Sequence, residues 1–140
     1  MHQDSTIFWT RLVGMTEQEQ PVADVFSAAC SSRPVLQHLT GRWGALAMVA
    51  LDRAEGPVRF GELRRRVEGI SDRMLSQTLG QLERDGMVHR TVHSSIPPHV
   101  EYTLTELGAR VAVPLAELIE LLEAELPTVM DAQAAYEAAS

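Results

Sequence analysis

The stretch GISDRMLSQTLGQLERDGMVHRTV at residues 69–92 constrains the chain more than any other. Leu75, Leu79 and Leu82 recur at helical spacing and predict one buried stripe. Ser71 stands where a hydroxyl accepts a hydrogen bond from an orphan amide of the first turn, and Asp72 suits the positive end of the helix dipole. Gly86 supplies a left-handed stop. Directly beyond it the apolar period changes from that of a helix to that of a strand. Val88 and Val92 share one face, as do Val100, Tyr102 and Leu104, and SSIPPH between them reads as a proline-stiffened hairpin tip. A helix of defined length must therefore run straight into a two-stranded ribbon.

The flanking segments extend this pattern. Pro34 suits the first turn of a helix whose apolar side is Val35, Leu36 and Leu39, ending at Gly41. Trp43, Leu46, Ala47, Ala50 and Leu51 follow as the stripe of a second helix, stopped by Gly56-Pro57. Val58 to Phe60 read as a short extended link. In the helix after it, Phe60, Leu63 and Val67 point inward and Arg64, Arg65 and Arg66 outward. Gly69 closes a tight turn and Ile70 plugs the corner. Past the ribbon, Thr105 caps a long helix with Leu107, Val111, Leu115, Leu118, Leu122 and Leu126 on one face. Pro114 is placed to kink that helix and Pro127 to end it, with a last helix expected over 128–138. Residues 1–16 lack periodicity, and 17–29 are expected to include a short helix with Val22, Val25 and Phe26 on one side.

This order predicts a mainly α fold with a small β-ribbon: a winged helix-turn-helix with N- and C-terminal helical extensions forming a dimer. The expected divisions are an arm at 1–29, the winged domain at 30–104 and dimerisation helices at 105–140. Ile119 and Leu121 widen the apolar face of the long helix beyond what a small domain covers, which is the reason for expecting a second copy there.

Composition bears on partners and compartment. The net charge is −7, yet residues 30–100 carry ten Arg against seven acids, while 101–140 carry one Arg against eight. Charges farther apart than about 8 Å are screened at physiological salt, so the basic middle, not the total, decides whether a polyanion is tolerated. One cysteine excludes an intrachain disulfide, and neither a secretory signal nor a span-length apolar run is visible, so a cytoplasmic, membrane-free protein is expected. No nucleophile elbow, P-loop or HExxH occurs, and no enzyme activity is expected.

With the leucines turned inward, Ser71, Arg73, Met74, Ser76 and Gln77 are left to face a major groove, where Arg pairs with guanine and Gln with adenine. Arg59, Arg64, Arg65, Arg66 and Arg84 are candidates for phosphate contacts, and Arg90, His93, Pro97, Pro98 and His99 for a wing beside them. The competing class is a winged-helix interaction module that does not bind DNA. His89, His93 and His99 lie on the ribbon, but no carboxylate or cysteine completes a metal-ligand spacing, so no metal or cofactor is expected.

LTGRWGALAMVAL, GPVRFGELRRRVEGISDRMLSQTLGQLERDGMVHR and IPPHVEYTLTELG, in this order over about residues 30–110, resemble the HxlR-type transcriptional regulators. The resemblance implies a dimeric bacterial winged-helix protein that binds a pseudo-palindromic site in duplex DNA, more often as a repressor. It puts Ser71, Arg73, Met74, Ser76 and Gln77 on the recognition helix and Pro97-Pro98 in the wing. Some members of that family sense oxidants or electrophiles through a cysteine shortly before the Gly-Arg-Trp motif, where Cys30 stands 13 residues before Trp43. The family usually has Pro next, whereas this chain has Ser31-Ser32. Arg33 and the start of the following helix are expected to favour a thiolate there. A small effector in a pocket beside the long helix is the other expected signal.

Overall fold

The computed structural model describes residues 22–140. The chain divides into two units, 1–37 and 38–140. In the first, residues 22–31 form turns that lead into α1 (Ser32–Thr40), which runs across the division. The helix expected over 17–29 does not form in its described part. The Asp24 carboxylate accepts the Phe26 amide at 3.1 Å, a local bond that competes with helix, and Phe26 is 88% exposed. Residues 1–21, with the rest of that expectation, lie outside the described residues.

In the second unit, α2 (Gly44–Arg53), β1 (Val58–Arg59), α3 (Phe60–Arg66), α4 (Asp72–Arg84), β2 (Val88–His93), β3 (His99–Leu104), α5 (Glu106–Ala124) and α6 (Leu126–Ala139) follow in order. This is the winged helix-turn-helix order. The core is built on Met48, Val58, Leu63, Leu75, Leu79 and Leu82, all of them fully buried. Gly69 and Gly86 adopt positive φ at the two turns that bracket α4.

Three details depart from the periodicity. The ribbon is a three-stranded antiparallel sheet in the order β1-β3-β2, because Val58 and Arg59 pair with Tyr102 and Glu101 instead of serving as an unpaired link. In α2, Ala47, Met48, Val49 and Leu51 are buried, while Ala50 is half-buried and Leu46 exposed. That helix touches α3, α4, α5 and β3, so it is enclosed from several sides and has no single stripe.

The third departure is in α5. Its buried positions are Gly108, Ala112 and Leu115, while Leu107, Leu118 and Leu122 are exposed, as is Leu126 at the start of α6. The cause is close approach. A Cβ on Gly108 would collide with the Met87 carbonyl, so only small residues let the first turns of α5 lie against the backbone that ends α4. Pro114 lies inside α5, and Pro127 opens α6 instead of ending the preceding helix.

Thr105 fastens the same junction. Its hydroxyl donates to the Gly86 carbonyl at 2.6 Å and accepts the Gly108 amide at 2.9 Å, while its own amide donates to the Met87 carbonyl at 3.0 Å. At the neighbouring corner, His38 Nδ1 lies 2.6 Å from a carboxylate oxygen of Asp85, the residue that follows α4. The expected cost of Gly108→Ala is about 1–3 kcal/mol from overpacking, net of a helix-propensity gain of about 1 kcal/mol. Thr105→Val should lose about 1–2 kcal/mol with its cap. Urea unfolding checks both, and a Gly108→Ala variant as stable as wild type would contradict the close packing described.

Candidate nucleic-acid interface

The turn between α3 and α4 positions the interface. Leu63, Val67 and Ile70 are buried beneath it, and Gly69 lets the chain reverse against the Trp43 ring. Ser71 then opens α4 with extended backbone, its Oγ accepting the Met74 amide at 3.1 Å. Leu75, Leu79 and Leu82 are 0–1% exposed, and Thr78 is buried beside them. Ser71, Arg73, Met74, Ser76, Gln77 and Arg84 are all exposed, so the residues expected on a recognition face do share the solvent side of α4.

The arginines outside α4 are not equivalent. Arg64 reaches from α3 to the first turn of α4, its Nη1 2.8 Å from the Asp72 carboxylate. Arg66 pairs with Glu62 at 2.9 Å within α3. Both pairs are exposed and stabilise by under about 1 kcal/mol, so a phosphate can displace either carboxylate. Arg65 and Arg84 are exposed and in no ion pair among the described residues, and Arg59 stands in register with Glu101 at the edge of the sheet.

The expected wing residues divide between two faces, since side chains alternate along a strand. Arg90 shares its face with Val88 and Tyr102, the face that enters the core, but lies beyond the buried part. His93 and His99 are cross-strand partners on the opposite face, where Glu101 joins them. Pro97 and Pro98 are exposed at the hairpin tip. The tip residue Ile96, 98% exposed, and Glu101 were not singled out by sequence pattern. Counting the register back from the SSIPPH turn is the signal that finds Glu101.

Cys30 is half-buried among the turns of the first unit. Its thiol pKa is lowered from the ordinary value, first by the Ser32 hydroxyl at 3.0 Å and then by the Asp24 amide at 3.3 Å, against an opposing Asp24 charge. Arg33 does not take the role expected of it. Its guanidinium donates instead to the Val25 and Phe26 carbonyls, eight and seven residues earlier, at 3.1 and 2.6 Å.

A model of the HxlR-like helix-turn-helix family matches residues 38–130. The uncharacterized HTH-type transcriptional regulator YtfH of Escherichia coli K12 is 45% identical over 113 residues, which span 81% of this chain and 88% of that one. Among solved structures, ytfH from Salmonella typhimurium superposes with a TM-score of 0.74 at 44% identity, covering 79% of this chain and 96% of the other. The redox regulator HypR in its reduced form superposes with a TM-score of 0.64 at 33% identity, covering 71% of this chain and 97% of the other.

The two faces of α4 should separate in a stability measurement. Leu79→Ala is expected to cost about 2–5 kcal/mol through a core cavity, and Gln77→Ala less than about 0.5 kcal/mol. Chemical denaturation of the two variants checks this, and comparable losses from both would mean that Gln77 is not on a free face.

Proposed function

Because this chain belongs to the HxlR-like helix-turn-helix family and is a DNA-binding transcriptional regulator, we propose that it acts as a homodimer on a pseudo-palindromic operator, with α4 of each copy in a major groove. The observation that carries the reading is the solvent face of α4, where Arg73, Ser76 and Gln77 stand exposed above a fully buried leucine stripe. Arg73 and Gln77 supply forked donors to base edges, and Ser71 and Ser76 supply hydroxyls to base or phosphate. Arg59, Arg65 and Arg84, with Arg64 and Arg66 released from their carboxylates, hold the backbone. Occupancy of a site overlapping a promoter makes such a protein a repressor.

Dimerisation is proposed through α5 and α6. Leu118, Leu121, Leu122, Leu126, Val129 and Met130 are all exposed, and no residue of α6 is buried within the chain. A 14-residue helix is marginal in water without tertiary support, and a second copy supplies it. The six acids of the last 24 residues, Glu117 to Ser140, suit a surface kept away from phosphate.

Fluorescence anisotropy with selected genomic fragments tests the reading. Affinity should fall with salt at a log–log slope of about −0.9 for each phosphate engaged. Arg73→Ala or Gln77→Ala should erase base preference worth about 1–3 kcal/mol at one position per half-site, while Arg65→Ala should weaken all sequences alike. Unchanged sequence preference in both α4 variants would mean that another face reads the DNA. A flat salt response would favour a protein-interaction role instead.

Regulation is proposed to act through Cys30. Supporting this are the lowered thiol pKa and the solved relative described as a redox regulator. A lowered pKa means that thiolate, the reactive form, is present at lower pH than for an ordinary cysteine. The Ser31-Ser32 departure from the family pattern thus has a use, since Ser32 is the first cause of that shift. Ser32→Ala should move the midpoint of the iodoacetamide alkylation profile to higher pH, and Cys30→Ser should abolish loss of DNA affinity on diamide treatment. An unmoved profile, or equal diamide sensitivity in Cys30→Ser, would remove Cys30 from the mechanism.

A further inference from the structure

The geometry points to a divalent transition-metal site on the wing, formed by His93, His99 and Glu101. The sequence alone offered three histidines without a completing ligand; the sheet register supplies it. His93 lies directly opposite His99 across the antiparallel β2–β3 pair, and Glu101 is two residues along β3 from His99. All three therefore project from the same face of the ribbon, and one ligand atom from each lies within 4.8 Å of the others. A cross-strand residue joined to an i, i+2 pair gives three donors on a rigid ladder.

The three side chains already meet through the Glu101 carboxylate. His93 Nε2 is 2.7 Å from one Glu101 oxygen, and His99 Nε2 is 3.6 Å from the other. The two rings are stacked, with centroids 4.6 Å apart. Donors around a tetrahedral zinc ion, each about 2.0–2.2 Å from it, sit roughly 3.3–3.5 Å from one another. Because an imidazole lone pair lies in the plane of its ring, a shared ion requires the two rings to turn out of their stack by χ rotation of partly exposed side chains.

Two neutral imidazoles and one carboxylate form a borderline ligand set that suits Zn²⁺ and its first-row neighbours over Mg²⁺ or Ca²⁺. The fourth position is left to water. Ser95 Oγ lies 3.4 Å from His99 Nδ1, where it can receive the ring's other N–H and so favour metal at Nε2. Arg59, in register with Glu101 from the other side of β3, is the charged neighbour that opposes a bound cation. His89 shares the histidine face of β2 four residues from His93, beyond the cluster.

The inference does not depend on DNA binding, and its test uses the full-length protein without DNA. Zinc affinity is measured by competition with a chromophoric chelator, and site geometry by the d–d absorption of bound Co²⁺. One ion per chain is expected, with a Kd on the order of 10 μM or tighter for a three-ligand site. His93→Asn, His99→Asn and Glu101→Gln should each weaken binding about 10-fold or more and abolish the four- or five-coordinate Co²⁺ spectrum. His89→Asn should change neither. Thermal melts of the metal-free variants show whether each is folded, and any two folded variants suffice for the comparison. Absence of zinc binding up to millimolar concentration, or binding that survives the cluster substitutions, would overturn the site and leave a hydrogen-bonded surface cluster.

Discussion

The Thr105 hydroxyl sits between two backbones and ties together the parts of the molecule that need a common frame. It donates to Gly86 at 2.6 Å, where α4 has just ended, and accepts from Gly108 at 2.9 Å, where α5 is beginning. Between those contacts, β2 leaves Gly86-Met87 and β3 returns to Thr105, so the wing is closed by the same few residues. The Gly108 backbone against the Met87 carbonyl removes the remaining slack. The α4 helix, the wing and α5 are consequently held at one point.

That constraint explains how an acidic protein presents the polar face proposed to read DNA. The leucines of α4 are sealed into the core, and its polar side is left with almost no internal partners apart from the Ser71 cap and the Arg64–Asp72 pair. The acids concentrate at the far end of the chain, on α5 and α6, where they accompany exposed leucines and a single arginine, Arg110. Segregation along the sequence thus matches the proposed division of labour, with α4 for DNA and α5 and α6 for a second copy.

The legible parts of the fold were those decided by local chemistry. Ser71, Thr105, Gly69 and Gly86 act through bonds and backbone conformations within a few residues, and each has the role its sequence context predicts. The α4 leucine stripe was legible because one side of that helix meets the core and the other meets solvent. The α5 face was not. Its intramolecular contact is made by Gly108 and Ala112, whose small side chains leave little hydropathic trace, while the conspicuous leucines point away. β1 is two residues long, below the length at which alternation can be seen. Arg33 was expected to act on Cys30 from proximity in sequence, but carbonyls seven and eight residues earlier proved the better-placed acceptors. At the candidate site, residue types alone marked α4, whereas the His93–His99–Glu101 grouping needed the strand register.

In the proposed complex the outward face of α4 enters the groove while the C-terminal helices join two copies. Site-directed crosslinking tests both halves together. A photoactivatable group is attached to Gln77→Cys, and separately to Glu137→Cys, in a Cys30→Ser background with the operator bound. Efficient crosslinks are expected from position 77 at two places about one helical turn, roughly 10–10.5 base pairs, apart, or a multiple of that spacing, and only background from position 137. Crosslinks from position 137 equal to those from 77 would contradict the assigned face, and a single crosslinked place would contradict the dimer.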